Sequence, residues 1–340
     1  MRRTKGFVAL GIIALFLFSV APGQGAAADK KILLHMGASS SPEHSRYKAA
    51  DIFMKKVQEE SKGQIETMRM FGGVLGNETK MTQMVQAGTL EMGWISDIGI
   101  STVIPEIGFV NLPYLFPTYK DVDTDYFNGW MGDVVKQRME AKGLHFLAWL
   151  ENDYRWLTNS RHVVLKPEDL KGLKIRTVET PMFIAFFKEL GVMPTPMGIT
   201  EVSTGLQRGT VDGQDNGAIL TYAYGFYQFQ KYLTKTSHSY SGGAIFINKG
   251  LWSSLSPEQK KIIQGAAEEA GKWQIARNRQ DVNDYLVKMK EGGMEISETT
   301  PELDKRFREV AWKVINNKSI TAKYGEDVMK RIISEYKLEK

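Results

Sequence analysis

The stretch from Leu170 to Asn216 constrains the fold of this 340-residue chain more than any other. Lys174–Thr177 alternates polar and apolar side chains, and this period of two predicts a strand. A helix is expected next, because Thr180 can cap it and Pro181 suits its first position. Gly191 follows apolar residues at helical spacing and should end that helix. The stretch therefore begins with one strand and one helix in succession.

A second cycle follows directly. Pro194–Met197 is typical of extended chain, Thr200 can cap another helix, and Thr210–Asp212 begins a further strand. The order β-α-β-α-β predicts an α/β fold with a parallel sheet. Ligands of such sheets bind at the carboxyl ends of the strands. Arg176 stands at one of these ends and Gln214–Asn216 follow another, so we expect a binding site there.

Three segments of the chain carry a family resemblance. They are KIRT (174–177), PTPMGITEVSTGLQRGTVDGQDN (194–216) and FYQFQKYLTKTSH (226–238). Together they resemble the solute-binding proteins of TRAP transporters (tripartite ATP-independent periplasmic transporters), of the dicarboxylate-receptor type. The resemblance covers nearly all of the chain after the first 28 residues. It implies a two-lobed periplasmic binding protein fold, with a ligand cleft between the lobes and a long helix spanning both.

The resemblance also implies how the chain is divided. Residues 29–152 with about 241–280 are expected to form the N-terminal lobe, and 153–240 with about 281–340 the C-terminal lobe. The long helix is expected from Ser256 to about Lys290, because Ser256-Pro257-Glu258-Gln259 is a strong helix start.

The function implied is that of an extracytoplasmic receptor. Such a receptor captures a small organic acid and delivers it to the small and large TRAP membrane subunits for uptake driven by an ion gradient. The expected partners are therefore a small organic anion and those subunits. We expect a monomer that uses no cofactor and no metal and binds no nucleic acid.

The resemblance assigns the carboxylate of the solute to three residues. Family members grip it with an Arg on the KIR strand, which is Arg176 here, and an Asn at the position of Asn216 helps. A basic residue at the position of Arg155 commonly adds a second contact. A guanidinium matches a carboxylate as a planar fork, and such charge-assisted pairs are strong. For Arg155, the alternative is a salt bridge to a carboxylate of the protein itself.

The remaining candidates come from strand ends and loops. Ser39 lies in a small-residue loop before a helix, where close approach to an anion or a hydroxylated solute is possible. The strand ending in Trp94-Ile95-Ser96-Asp97 lines the cleft by similarity, which makes Trp94, Ser96 and Asp97 candidates for packing and hydrogen bonding. Trp94 can equally well be a core residue.

Four further candidates complete the expected site. Gln214 lies in the motif that contains Asn216, and Tyr240 and Phe246 are expected to close over an apolar part of the solute. Glu179 departs from the family, because many relatives have an Asn-containing triplet after KIRT. If Glu179 faces the cleft, it repels a simple dicarboxylate and accepts hydrogen bonds from hydroxyl or ammonium groups. If it faces solvent, it has no role in binding.

The first 28 residues are expected to be a cleaved signal peptide, which places the protein in the periplasm. Arg2, Arg3 and Lys5 form a basic start, Phe7–Val20 is apolar, and Ala26–Ala28 offers small residues for cleavage. The alternative is an uncleaved anchor. Without these three basic residues the net charge falls from +5 to about +2, and no basic stripe indicates nucleic-acid binding.

Two other functions were weighed against the transporter receptor. One is an exported hydrolase, but the five His residues lack metal-binding spacing, no GxSxG motif occurs and the chain contains no Cys. The other is a periplasmic protein that presents an organic acid to a sensor, which the sequence does not separate from the transporter receptor. The same lack of Cys excludes disulfides and thiol chemistry.

Overall fold

The computed structural model describes residues 31–336. The expected signal peptide, residues 1–28, lies outside the described residues. Within the described part, the chain forms a mixed α/β structure in which one continuous sheet runs through two lobes.

Nine strands occur between residues 31 and 336. In chain order they are β1 (Ile32–Gly37), β2 (Ile65–Met70), β3 (Met92–Ser96), β4 (Leu144–Asn159), β5 (Lys174–Thr177), β6 (Met193–Pro196), β7 (Gly213–Asp215), β8 (Tyr232–Asn248) and β9 (Glu295–Glu298).

Helices cover the sheet and connect its strands. They are α1 (Ser45–Glu60), α2 (Glu78–Ala87), α3 (Asp97–Ser101), α4 (Tyr119–Asp121), α5 (Trp130–Ala141), α6 (Pro181–Glu189), α7 (Ile199–Gln207), α8 (Ala218–Ala223), α9 (Lys249–Ser254), α10 (Pro257–Glu291), α11 (Pro301–Ile315), α12 (Lys318–Thr321) and α13 (Glu326–Glu335). Tighter turns occur at Pro105–Asn111, Pro167–Leu170, Phe226–Phe229 and Ala322–Tyr324, and a π-helical turn occurs at Val122–Phe127.

The strand order β2-β1-β3-β8-β4-β7-β5-β6 divides the sheet into two halves. In the N-terminal lobe β1 runs parallel to β2 and β3, and in the C-terminal lobe β5 runs parallel to β6 and β7. The β-α-β-α-β order predicted from the sequence is thereby confirmed, although its third strand begins at Gly213 and not at Thr210.

The long antiparallel strands β4 and β8 pass through both halves of the sheet. Only Leu144–Leu150 and Tyr240–Ile247 carry an apolar strand pattern in the sequence, which is about half of each strand. The pattern fails because the middle of β4 is polar (Glu151 to Arg155), which interrupts the apolar run. At the same place the pairing with β8 shifts register between Glu151 and Asp153. This irregular crossing lies where the sequence expects the lobes to meet.

The long helix is confirmed. Ser256 caps α10 in a reciprocal capping box with Gln259, as the sequence predicts. The helix has 35 residues and is therefore about 52 Å long. It packs against α1 and β4 and also against α8 of the C-terminal lobe, so it braces both lobes.

The C-terminal end of the chain departs from the expected division. Residues 281–340 were assigned to the C-terminal lobe, but the guanidinium of Arg331 in α13 lies 4.2 Å from the ring of Trp130 in α5. Arg138 of α5 also donates to the carbonyl of Tyr324 at 2.9 Å. The last helix therefore covers the N-terminal lobe. Sequence spacing gave no sign of this return, because the contact depends only on how the closing helices pack.

A strained acidic residue marks the crossing of the lobes. Asp153 in β4 has a φ of 116°, a backbone region that favours glycine. Its side chain is buried and accepts a 2.5 Å hydrogen bond from the hydroxyl of Tyr119. Burial, reinforced by the charge of Glu151, raises the pKa of Asp153 from 3.8 to about 7. The protonated acid is therefore the form that folding favours.

Asp153→Asn is expected to stabilise the protein in a pH-dependent way. The stability from protonated Asp153 is complete below about pH 4 and is lost as the pH rises through 7. Asn cannot ionise, keeps an oxygen for Tyr119 and tolerates positive φ. The free energy of unfolding of the variant should exceed that of the native protein by about 4 kcal/mol at pH 8, which corresponds to about 5 °C in melting temperature. At pH 4 the difference should be close to zero. Melting curves at pH 4, 6 and 8 measure this. Asp284→Asn, an exposed change on α10, is the control, and a gain independent of pH would contradict the assignment.

Candidate functional site

A cleft between the lobes collects polar and charged side chains. From the N-terminal lobe it is lined by Ser39, Arg46, Asn77, Glu78, Ser96 and Thr102; from the C-terminal lobe by Arg176, Glu179, Asn216, Leu220 and Tyr224; and at the crossing strands by Asn152, Arg155 and Ser241. The cleft contains about 550 Å³ of space between atoms, including solvent at its mouth. A cleft of this size suits a small solute.

The two lobes touch across the mouth of this cleft. The hydroxyl of Tyr224 lies 3.2 Å from that of Ser39, and Ser41 donates to the carbonyl of Ala223 at 2.6 Å. Each pair joins the loop after β1 to the segment around α8. The structure is therefore a closed arrangement, in which the side chains that line the cleft are largely removed from solvent.

Arg176 is the dominant cation of the cleft. It lies on β5 and is 2 % exposed, and its Nε and Nη2 both donate to the carbonyl of Met197 at 3.0 and 2.8 Å. Its Nη1 has no hydrogen-bond partner among the described residues. Burial lowers the pKa of Arg176 to about 10, so the guanidinium remains charged at neutral pH. Arg176 is therefore a buried cation that Met197 holds in place, and its Nη1 is available to a ligand.

Arg155 lines the cleft but already has an anionic partner. Its Nε donates to Asp215 Oδ2 at 2.9 Å, and its Nη2 donates to the carbonyl of Asp215. His238 Nε2 lies 3.5 Å from the same carboxylate. Burial by itself would raise the pKa of Asp215, but Arg155 and His238 lower it below its usual value. The structure thus contains the salt bridge that the sequence left open as the alternative for Arg155.

Asn216 follows β7 and lies at the bottom of the cleft. Its Nδ2 donates to Gln214 Oε1 at 2.6 Å. Gln214 is fully buried and lies outside the lining, and its Nε2 donates to Thr158 and Thr221. Gln214 therefore orients the Asn216 amide and is a supporting residue, in contrast to the contact expected from the sequence.

Ser39 and Ser96 line the N-terminal side and converge on one carboxylate. Ser39 Oγ donates to Glu78 Oε1 at 3.2 Å, and Ser96 donates to Glu78 through its hydroxyl and through its backbone N–H. Ser96 also caps α3 by accepting from Gly99 N. Both serine hydroxyls therefore already have hydrogen-bond partners in the protein, and both hold Glu78 in place at the cleft.

Four of the residues expected in the site lie elsewhere. Trp94 is fully buried against Phe53 and Phe71, which is the core position that the sequence left open. Asp97, Tyr240 and Phe246, which the sequence also predicts as contacts of the solute, lie outside the cleft lining. Both faces of these strands are covered, so apolar alternation could not show which side faced the cleft.

These three displaced residues belong to the interior of the fold. Asp97 accepts from the Gly242 N–H at 2.8 Å, and burial raises its pKa. The Tyr240 hydroxyl donates to Glu151 at 2.7 Å. Phe246 packs over Gly93, where an added Cβ would lie only 2.4 Å from the ring.

Glu179 is exposed and lines the mouth of the cleft. An exposed charge near a bound anion acts weakly through solvent, on the order of 1 kcal/mol or less. Glu179→Gln is therefore expected to tighten binding of an anionic solute about two- to fivefold at low ionic strength, and less in 0.5 M salt. Titration calorimetry at both ionic strengths checks this, with Glu291→Gln at the exposed end of α10 as the control. An affinity that does not change at low salt would place Glu179 outside the range of the solute.

Among the lining residues that the sequence analysis did not name as candidates, three carry ionisable side chains. They are Arg46 in the first turn of α1, Glu78 at the start of α2, and Tyr224 after α8. The sequence offered one signal, because an Arg inside the apolar stripe of α1 is rarely buried without a function. Tyr224 was hidden among several aromatic residues of the same segment.

The match to a known family decides what kind of site this is. The sequence profile of the bacterial extracellular solute-binding proteins, family 7 (DctP), matches residues 36–320. The chain belongs to this family. It is thus a solute-binding protein of the TRAP type.

Two relatives and two solved structures are similar to this TRAP protein over most of its length. It is 36% identical over 267 residues (77% of this chain, 80% of the relative) to the 2,3-diketo-L-gulonate-binding periplasmic protein YiaO of Escherichia coli. It is 33% identical over 309 residues (91% of each chain) to a solute-binding protein of Verminephrobacter eiseniae. The sugar acid binding protein DctPAm of Advenella mimigardefordensis, in complex with galactonate, has a TM-score of 0.85 and 30% identity, covering 91% of this chain and 98% of that one. A TRAP periplasmic solute-binding protein of Polaromonas bound to D-erythronate has a TM-score of 0.82 and 30% identity, covering 89% and 98%.

Among residues 31–336, no group of three or more His, Cys, Asp or Glu side chains is arranged to hold a metal ion. In the same range, no helix has the length and apolar character needed to cross a membrane.

Proposed function

We propose that this TRAP solute-binding protein captures a small organic acid by pairing the carboxylate with Arg176, and that it delivers this acid to TRAP membrane subunits. One observation carries the proposal. Arg176 is a buried cation that lines the cleft, and its Nη1 has no partner among residues 31–336. A buried charge is costly unless it is paired. An anionic solute provides that pairing.

Three features support a carboxylate as the anion. The carbonyl of Met197 fixes the plane of the Arg176 guanidinium, which orients Nη1 before any solute arrives. Asn216 is held by Gln214 and lines the same cleft, so it adds a neutral donor that orients the anion. The solved relatives contain galactonate and D-erythronate, and each of these ligands has one carboxylate.

Arg155 acts indirectly in this proposal. Its charge is matched by Asp215, so it adds little net attraction for a second anion. Its guanidinium still lines the cleft and limits where the solute carboxylate can lie. The net positive character around that carboxylate therefore comes mainly from Arg176.

Transport places the protein outside the cytoplasm. We infer export through the expected signal peptide (1–28), since the family is extracellular or periplasmic. The contacts of Ser39 with Tyr224 and of Ser41 with Ala223 close the cleft. A solute that bridges the lobes favours this closed form, which is then the form that the membrane subunits recognise.

A thermal-shift screen tests the proposal. The protein is purified from the periplasm and melted with a panel of mono- and dicarboxylates, hydroxy acids, keto acids and sugar acids. A ligand that binds only the folded form raises the melting temperature by mass action. We expect at least one carboxylate to raise it, and the matching neutral alcohol or amide not to. Mass spectrometry of the supernatant after denaturation identifies any acid retained from the host. A flat screen together with an empty supernatant would contradict the proposal.

A further inference from the structure

A second buried cation lies on the opposite side of the cleft. Arg46, in the first turn of α1, is 1 % exposed, and its Nη2 donates to Asn152 Oδ1 at 2.7 Å. Its Nε has no partner among the described residues. Room for the guanidinium depends on Gly243 of β8, where a Cβ would lie 3.0 Å from Nη2. Arg46 is therefore held in place, lines the cleft and retains an unused donor.

A carboxylate lies close to another nitrogen of the same guanidinium. Glu78 Oε1 is 4.0 Å from Arg46 Nη1, and the Glu78 side chain is 15 % exposed. The hydroxyls of Ser39 and Ser96 and the Ser96 N–H all donate to Glu78. Two of these hydrogen bonds end on Oε1 and one on Oε2. A carboxylate has about four lone-pair positions, so one acceptor position, on Oε2, remains for a ligand.

A donor and an acceptor side by side select for a hydroxyl group. A hydroxyl oxygen can accept from Arg46 while its proton is donated to Glu78. A carboxylate at the same place has no proton to donate and is repelled by the charge of Glu78. An ammonium group has no acceptor for Arg46 and is repelled by that cation. Only a group that both donates and accepts satisfies both side chains.

We propose that Arg46 and Glu78 form a hydroxyl-binding subsite, so that the solute is a hydroxylated monocarboxylate and not a dicarboxylate. The proposal rests on the function proposed above, because it takes Arg176 as the site of the single carboxylate. The two anchors come from different lobes, Arg46 and Glu78 from the N-terminal lobe and Arg176 from β5. A solute that satisfies both anchors links the lobes and so stabilises the closed arrangement.

Matched pairs of sugar acids test the subsite. Aldonic acids of four to six carbons are compared by titration calorimetry with aldaric acids of the same length, in which the terminal CH2OH is replaced by a carboxylate. We expect the native protein to bind at least one aldonate about 100-fold more tightly than its matched aldarate. Glu78→Gln should weaken that aldonate about 10- to 100-fold, because a charged hydrogen bond is lost. The preference over the aldarate should fall below about tenfold.

Controls separate this proposal from the one on which it rests. Glu43→Gln removes an exposed charge three residues from Arg46 and outside the cleft lining, so the preference should not change. The circular dichroism and melting temperature of Glu78→Gln show whether it folds. If it does not fold, Arg46→Gln is measured in its place, with the same expected loss of preference. A native protein that prefers the aldarates, or binds only acids without hydroxyl groups, overturns the subsite. Binding that survives Arg176→Ala would instead contradict the carboxylate site.

Discussion

Arg176→Ala is expected to weaken binding of the solute by at least about 100-fold. Removing one partner of a buried, hydrogen-bonded charge pair typically costs 2–5 kcal/mol. In the closed cleft the bound carboxylate would lose its main counter-charge. The negative charges of Asp215 and Glu78, both of which act on Arg176 in the native protein, would then no longer be offset by this cation. The affinity of the native protein and of the variant is measured by titration calorimetry with the acid that the screen identifies.

Arg176→Lys is the matched variant, because it retains the charge and removes the planar fork. A lysine ammonium cannot donate to the Met197 carbonyl and to a carboxylate with the geometry of a guanidinium. We expect it to lie between the native protein and Arg176→Ala, with a loss of about tenfold or more. Affinities that decrease in the order native protein, Arg176→Lys, Arg176→Ala would show that both charge and geometry contribute.

The fold should survive these substitutions. Within the described part of the chain, the hydrogen bonds of the Arg176 side chain go only to Met197. Without solute, its removal leaves one carbonyl unpaired, at about 1–3 kcal/mol, and also removes a buried charge. The circular dichroism spectrum of Arg176→Ala should therefore match that of the native protein. An affinity that remains unchanged in this folded variant would mean that the carboxylate binds elsewhere.

Asp215→Ala is expected to have the largest effect on stability, about 3–5 kcal/mol. The Asp215 carboxylate is the partner of Arg155, whose side chain is 3 % exposed. Without it, the buried guanidinium of Arg155 would line the cleft without a counter-ion. Denaturant unfolding at pH 7 measures the loss. Loss of the Asp215 charge should also free Arg155 to attract anions.

The pair itself adds much less stability than that loss implies. Replacing both partners by apolar residues is often close to neutral, since the desolvation of both charges is then avoided. The double variant Arg155→Met, Asp215→Leu should therefore recover most of the stability that Asp215→Ala loses. A double-mutant cycle with the two single variants gives the coupling energy. If Asp215→Ala is as stable as the native protein, solvent and not Asp215 compensates the charge of Arg155.

Acid should weaken the native protein through the same carboxylate. The pKa of Asp215 is lower in the folded state than its usual 3.8. Its contribution is therefore present above about pH 4 and is lost as the pH falls through the folded-state value. Asp215→Ala should lose less stability than the native protein between pH 4 and pH 2. This direction is opposite to that expected for Asp153, whose pKa is raised.

Local sequence patterns determined the main elements of the fold. The strand at Lys174–Thr177, the following helix and the capping box at Ser256 depend on residues within a few positions of one another. The resemblance placed Arg176 and Asn216 in the site, and both line the cleft. Strand ends can be located from sequence because turns and caps are local signals.

Side-chain direction was harder to predict where strands are covered on both faces. Trp94, Tyr240 and Phe246 are apolar residues on β3 and β8, and each is buried within the fold. On such strands neither face is polar, so the period of two does not identify the side of the cleft. The direction of the Asp97 side chain could not be predicted either, because its hydrogen-bond partners on β8 lie about 145 positions away in the sequence.

The sequence by itself determined the class of the fold, its family and the strand on which Arg176 lies. Only the tertiary structure decided which charges act together. It paired Arg155 with Asp215, 60 positions apart, and brought Arg46 close to Glu78 and Asn152. The physical reason is that local propensity depends on neighbours in sequence. The partners of a buried charge depend instead on how two lobes close around a common cleft.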